Sequence, residues 1–294
     1  MTPQVLRYAA FTDHGEGGNP AGVVLDADGL TPTQMLDIAR TIGYSETAFV
    51  SSGGSAGALG LRFFSPLAEV AFCGHATVAT AVALADRHGP GDLRLETMAG
   101  VVDVRTKSSD DAIVATLASP PTSTRPATAD EVRRTLDALR WSADDLDPTL
   151  PAHVAFAGNQ HLVLAAWTRE RLADLDYDFA LLGALMAELG WTTVDLVHRV
   201  SHSVFHARNP FPPGGVVEDP ATGAAAAAFG GYLRDLALVD VPARVTVLQG
   251  QDMGAPSRLL VDLDGDDRRV RVTGSATQLF TAMQPTPELG RRPV

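Results

Sequence analysis

Apolar residues recur along this chain in short blocks with two different periods. Met35-Leu36-Asp37-Ile38-Ala39-Arg40-Thr41-Ile42-Gly43 has helical spacing and closes on a glycine. It leads into the strand-like run Thr47-Ala48-Phe49-Val50. Leu181 to Trp191, followed by Val194-Asp195-Leu196-Val197, has the same form. A turn dipeptide opens an aliphatic strand at Gly18-Asn19-Pro20-Ala21-Gly22-Val23-Val24-Leu25 and again at Gly158-Asn159-Gln160-His161-Leu162-Val163-Leu164. Two helices of very small residues, Cys73 to Ala81 and Asp219 to Ala227, make a third pair. Met98-Ala99-Gly100 before Val101-Val102-Asp103-Val104 and Met253-Gly254 before Leu259-Leu260-Val261-Asp262 make a fourth.

Four matches in one order, at offsets of roughly 140 to 155 residues, predict an internal duplication. The small-residue helices carry no charge until Asp86-Arg87 and Arg234-Asp235, so each is expected to be buried on every side, with a sheet curled around it. The expected class is α+β: two pseudo-symmetric halves, each a highly curved, barrel-like mixed sheet around a central helix. The halves span 1–120 and 129–294, the last strand is free to cross back to the first half, and the Pro/Thr/Ser-rich stretch Ser119 to Thr128 serves as linker.

The chain has 294 residues, 45% hydrophobic and 20% charged, enough for a sizeable core. A formal charge of −12, with no clustered basic stripe, argues against nucleic acid. No signal sequence is visible at the start, and the most apolar run, Val70 to Ala85, is broken by Gly74 and His75. A soluble, cytoplasmic protein without a membrane span is therefore expected. The single cysteine, Cys73, leaves no intrachain disulfide and no CxxC metal site. The single lysine, Lys107, stands in the polar run Thr106 to Asp111, which reads as a solvated turn and a poor anchor for pyridoxal phosphate.

If the halves face each other, two helix starts converge, with free N–H groups and positive dipole ends suited to a carboxylate. Candidate chemistry lies where the repeats differ: Glu46 aligns with Thr193, and Cys73-Gly74-His75 with Asp219-Pro220-Ala221. Each candidate also has a plainer reading. Glu46 could be a surface glutamate after a helix, although its setting before an apolar strand without other charges points inward. Asp219 before Pro220 fits an N-cap followed by proline at the first helical position, a role compatible with catalysis. His75 could bond a neighbouring loop, and Asn19 and Asn159 could simply make turns. Cys73 could merely pack, or could be reactive if the helix start lowers its thiol pKa.

Two further patterns mislead. Gly53-Gly54-Ser55-Ala56-Gly57 matches GxSxG, but the following element is the strand-like Leu61-Arg62-Phe63-Phe64, so it reads as a hairpin loop and not a nucleophile elbow. His198, His202 and His206 recur every four residues, a spacing on which zinc is geometrically conceivable, but no carboxylate motif accompanies them.

Taken together, Gly18-Asn19-Pro20-Ala21-Gly22-Val23-Val24, Ser45-Glu46-Thr47-Ala48-Phe49-Val50, Arg62-Phe63-Phe64-Ser65-Pro66, Phe72-Cys73-Gly74-His75-Ala76-Thr77, Glu218-Asp219-Pro220-Ala221-Thr222-Gly223 and Gln249-Gly250 resemble the phenazine-biosynthesis PhzF-like family, within the diaminopimelate epimerase fold. The resemblance covers nearly the whole chain. It implies a homodimer with an active site between the halves, no cofactor and no metal, and isomerisation of a small carboxylate-bearing substrate. Glu46 would be the general acid/base, with His75 and Asp219 as catalytic companions. Asn19, Cys73, Gly74, Ala76, Thr77, Ala221, Thr222 and Gly223 would line the substrate. The chemistry agrees, because a carboxyl group enclosed in an apolar cleft can take a proton from one carbon and return it to another.

The epimerase branch uses two cysteines, and only Cys73 is present. This favours a double-bond or tautomeric shift, while leaving a mixed Cys73/Glu46 or Cys73/Asp219 pair open for epimerisation. A non-catalytic ligand-binding protein on the same scaffold is the remaining reading. In the second half, His202 to Pro210 stands where an Arg-x-Phe-x-Pro-like segment is expected.

Overall fold

A computed structural model describes residues 3–109 and 112–280. The first half runs β1 (Leu6–Ala10), β2 (Asn19–Val24), α1 (Pro32–Ile42), β3 (Glu46–Ser51), β4 (Leu59–Phe64), β5 (Glu69–Val70), α2 (Gly74–His88), β6 (Asp92–Thr97), β7 (Gly100–Ser109) and β8 (Ala112–Ala118). After β9 (Ser123–Pro126) and α3 (Ala129–Leu139) the second half repeats that order. It runs β10 (His153–Phe156), β11 (Gln160–Ala165), a short added α4 (Arg169–Ala173), α5 (Phe179–Leu189), β12 (Trp191–Arg199), β13 (Val204–Phe211), β14 (Val216–Asp219), α6 (Gly223–Asp235), β15 (Ala243–Gln249), β16 (Ser257–Leu263) and β17 (Arg271–Gln278).

The pairings repeat as well. β2–β3 and β11–β12 are parallel, as are β4–β6 and β13–β15, while the hairpins between them are antiparallel. In the first half the order β1–β2–β3–β4–β6–β7–β8 closes through β17, which pairs with both β8 and β1, giving a mixed eight-stranded barrel. In the second half β9 through β16 curl around α6 and end on the same β17. The stretch read as linker is therefore partly strand: Ser123–Pro126 pairs with β10, and Ser119 N and Thr122 N donate to the carbonyls of Val270 and Arg268. The run read as a turn around Lys107 is also strand through Ser109, because the β7–β8 hairpin extends that far; Asp110 and Asp111 lie outside the described residues.

The two central helices explain this curvature. α2 is buried without interruption from His75 to Ala85 and α6 from Ala225 to Leu233. A helix surrounded by strands must be apolar all round, and Ala, Gly and Thr let those strands approach closely. Both helices contribute to one continuous core, while α1 and the pair α3 and α5 pack on outer sheet faces as separate clusters. α5 begins two residues earlier than its periodicity suggested, because Asp178 caps it, and Trp191 already belongs to β12.

Inside the second half lies a buried polar chain. Thr193 Oγ1 donates to Asn209 Oδ1 (2.6 Å), so His161 Nδ1 must donate to Thr193 (2.8 Å), and Asn209 Nδ2 donates to Asp195 Oδ1 (3.1 Å). Register makes Thr193 the counterpart of Glu46: Ala21 pairs with Glu46 across β2–β3 as His161 pairs with Thr193 across β11–β12. Burial pushes the Asp195 carboxyl up to about 7 and His161 down to about 3, so His161 is neutral inside the fold and Asp195 keeps its proton until the pH nears 7.

Two predictions follow from this packing. An alanine Cβ at Gly274 would lie 2.2 Å from Phe11 Cδ1, and Phe11 is fully buried with φ 60°, so Gly274→Ala should destabilise by about 1–3 kcal/mol, read by thermal unfolding. Asp195 keeps its proton in the native state at pH values where the unfolded chain has lost it. Its contribution should therefore weaken stability as pH rises from about 4 to about 7, by at most ~4 kcal/mol, and then level off. Asp195→Asn should make that segment of a stability-versus-pH curve less steep, removing the Asp195 part and leaving the other groups, among them the opposing loss on acidification from buried His161.

Candidate active site

The starts of the two central helices meet at one side chain. Asn19 opens β2, and its Nδ2 donates to Asp219 Oδ1 (2.7 Å) and approaches the Ala221 carbonyl (3.3 Å) from the second half and His75 Nδ1 (3.2 Å) from the first. Nδ1 of His75 also lies 3.3 Å from Cys73 Sγ; when Asn19 donates to Nδ1, the neutral ring carries its proton on Nε2. Nε2 faces Glu46 Oε2 (3.4 Å) and Ser45 Oγ (3.4 Å). The Glu46 and His75 side chains are only 18% and 7% exposed, so this contact is shielded from bulk water.

The outer helices and the central ones end differently. Thr31, Thr128, Thr168 and Asp178 each place a side-chain oxygen on a first-turn N–H of α1, α3, α4 and α5. Neither Cys73, before α2, nor Thr222, before α6, does so. The Ala76 N–H of α2 lies against the Cys73 sulfur, and no side-chain oxygen caps either buried helix, at the helix end that favours negative charge.

The sequence pairing of Cys73 with Asp219 needs correction. Across β4–β5 Phe63 pairs with Val70, and across β13–β14 Asn209 pairs with Asp219, so Asp219 stands at the Val70 position and Cys73 corresponds to Thr222. Nor is Asp219 the N-cap of α6, and Pro220 is not its first residue. Gln249 accepts from Thr222 N (3.1 Å) and donates to the Asp219 carbonyl (2.7 Å) and Thr222 Oγ1 (3.0 Å), holding 219–222 as a turn and delaying the helix to Gly223. Asp219 Oδ2 instead accepts from Thr222 Oγ1 (2.6 Å). Gly250, at φ 78°, lets the chain pass: a Cβ there would sit 2.2 Å from the Ala255 carbonyl oxygen and 2.8 Å from that of Pro220.

Burial raises the Asp219 carboxyl above its ordinary range, helped by the Glu46 charge and opposed by His75, Thr222 and Asn19. Of the two readings of Cys73, its pKa favours packing: burial pushes its thiol well up, and the neighbouring Glu46 and Asp219 charges outweigh the helix start. Gly74 leaves open space where a Cβ would be, whereas a Cβ at Gly223 would touch the Phe11 ring at 3.3 Å. Ala76 and Thr77 are fully buried in α2, and Thr77 Oγ1 donates to the Cys73 carbonyl within the helix.

Glu46, Cys73 and His75 bring potential metal-ligating atoms within 4.8 Å of one another. With Asn19 donating to Nδ1, however, the ring presents N–H, not a lone pair, toward Glu46, which suits proton transfer better than ligation. The three-histidine pattern does not assemble among the described residues: His198 and His206 face each other across β12–β13 with His198 Nδ1 on the Ala166 carbonyl, and His202 lies in the connecting turn. Ser55 lies in a short turn between β3 and β4, as a hairpin-loop reading requires. Two surface cavities lie elsewhere. One of ≈ 270 Å³ is bordered by Arg125 and Phe156, and one of ≈ 360 Å³ by Asp26 and His88 at the far end of α2. No helix among the described residues is long and apolar enough to cross a membrane.

Local sequence patterns did not single out Gln249, Ser45, Arg208 or Glu218 as acting at the site. Arg208 forms a buried, two-pronged ion pair with Glu218, directly before Asp219. It repeats Arg62 with Glu69 (2.6 and 2.7 Å). In each hairpin the arginine stands two residues before the strand partner of its glutamate, Phe64 for Glu69 and Pro210 for Glu218. The counterpart of Arg62-Phe63-Phe64-Ser65-Pro66 is thus Arg208-Asn209-Pro210-Phe211-Pro212. The second-half departure therefore does not run over His202 to Pro210; Arg208 and Pro212 keep their places.

The family model described as "Phenazine biosynthesis-like protein" matches residues 8–282. An uncharacterized isomerase of Bacillus subtilis is 31% identical over 284 residues, covering 93% of this chain and 95% of its own. The trans-2,3-dihydro-3-hydroxyanthranilate isomerase of Pseudomonas chlororaphis is 30% identical over 276 residues, covering 90% and 93%. A solved structure described as a predicted epimerase from Pseudomonas aeruginosa superposes with a TM-score of 0.83 at 26% identity, covering 97% of this chain and 99% of that one. With a fold, a duplicated pairing scheme and full-length relatives in agreement, the chain belongs to the phenazine biosynthesis-like (PhzC-PhzF) family of isomerases.

Proposed function

We propose that this isomerase moves a proton, and with it a double bond, within a small carboxylate-bearing cyclic or amino-acid-like acid. Trans-2,3-dihydro-3-hydroxyanthranilate, named for the Pseudomonas chlororaphis relative, is a representative of that class. The observation that carries this reading is the meeting of Glu46, His75 and Asp219 around Asn19, at the two helix starts that lack a side-chain oxygen cap.

The substrate carboxylate would take the first-turn N–H groups, where a developing negative charge is also stabilised without reorganisation. Glu46, as carboxylate, removes a proton from a saturated carbon. The electron pair left behind shifts the double bond, and the same Glu46 carboxyl delivers the proton to the carbon at the far end. His75, its Nε2 3.4 Å from Glu46 Oε2, would restrain that carboxyl. Asp219, held by Asn19 and Thr222, completes the second-half wall and holds its own proton to higher pH than an exposed aspartate does. One carboxyl is sufficient for a same-face shift. An opposite-face route would need a second base, and Cys73, whose sulfur lies on the Glu46 side of the site, has a raised thiol pKa that leaves it protonated and a poor proton acceptor near neutral pH.

In deuterated water, the product of trans-2,3-dihydro-3-hydroxyanthranilate should carry deuterium only to the extent that the proton on Glu46 exchanges with solvent before delivery, and Glu46→Gln should lower kcat by about 10²–10⁴ while leaving thermal unfolding unchanged. A Glu46→Gln protein that turns over normally contradicts the assignment. Alkylation of Cys73 by iodoacetamide at pH 8 should be much slower in the folded protein than in urea-unfolded chain, since burial and two carboxyls suppress the thiolate. Equal rates would show a reactive thiol and favour a two-base route.

A further inference from the structure

We propose that the buried Arg208–Glu218 pair is a positioning device that aims the Asp219 carboxyl at Asn19. This rests on the role given to Asp219 above. Successive residues of a strand point to opposite faces, so the face chosen by Glu218 decides the face of Asp219. Arg208 holds Glu218 through Nε (2.9 Å) and Nη2, and its Nη1 donates to the Ala173 carbonyl (2.6 Å) at the end of α4. Both side chains are nearly closed to solvent, 10% and 3% exposed, whereas the twin pair Arg62–Glu69 is 35% and 24% exposed. Only the second-half pair precedes an acid: Val70 follows Glu69, and Asp219 follows Glu218. The hairpin needs this hold because β14 is four residues long and the pairing slips between Pro210 and Phe211. A two-pronged ion pair is directional where apolar packing is not, so it fixes register as well as contact.

A stability role and a positioning role separate in the double variant Arg208→Met/Glu218→Met. Replacing both charges by apolar groups leaves no unpaired buried charge and removes only the Arg208 donor from the carbonyls of Leu172 and Ala173, so the variant should still fold, with a melting temperature lowered by a few degrees at most. Positioning predicts that it nevertheless loses about tenfold or more in kcat toward trans-2,3-dihydro-3-hydroxyanthranilate with KM within about twofold. It also predicts that the Asn19 side-chain amide resonance, followed by ¹⁵N NMR, moves toward its position in Asp219→Ala. An Asn19 resonance unchanged from the parent overturns the proposal. Glu218→Gln, which keeps the shape and removes the charge, supplies the same NMR readout if the double variant does not fold. The NMR measurement needs no substrate: absence of turnover in the parent would count against the isomerisation chemistry, while the Asn19 signal still decides the role of the pair.

Discussion

One amide, that of Asn19, ties the two halves together where it matters. Its nitrogen reaches an aspartate and a carbonyl of the second half and a histidine of the first. A donor at Nδ1 places the ring proton on Nε2, in front of Glu46. The rest of the architecture can be understood as the means of bringing that amide to two helix starts. Duplicated curled sheets each bury one small-residue helix end-on, and β17 belongs to the sheets around both.

The duplication supplies the frame, and the chemistry lies in its broken symmetry. Glu46 corresponds to Thr193, Val70 to Asp219, and Cys73 to Thr222. The first half contributes the acid that faces the ring proton. The second replaces it with a hydroxyl locked into a buried hydrogen-bonded chain with His161, Asn209 and Asp195. The arginine–glutamate hairpins survive in both halves, but only one of them leads into an acid.

Much of the frame was legible in the sequence because it is written in local patterns. Helical spacing closing on Gly43, uncharged helices after Cys73 and before Arg234, and turn dipeptides before Val23 and Val163 all recur at a common offset, and pairing reproduces them. Side-chain roles set by distant partners were less accessible. Asp219 looked like a helix cap because proline follows it, yet Gln249, thirty residues on, withholds the helix until Gly223. Whether the Cys73 thiol feels the helix start or merely packs was open in the sequence, because the burial and the two carboxyls that dominate it come from the fold. Arg208 was hidden because its partner Glu218 lies across a hairpin whose register only the fold fixes. What periodicity encodes is the backbone; which lone pair meets which proton depends on contacts hundreds of residues apart, as with Asn19 and Asp219.

The most direct test is a crystal structure with trans-2,3-dihydro-3-hydroxyanthranilate, or a non-reacting analogue that keeps its carboxylate, bound to the protein. The account predicts the carboxylate on the first-turn N–H groups of α2 or α6, with a ring carbon within reach of the Glu46 carboxyl and the Asn19–Asp219 bond intact. A ligand seated elsewhere, or Glu46 turned to bulk water away from it, would contradict the account.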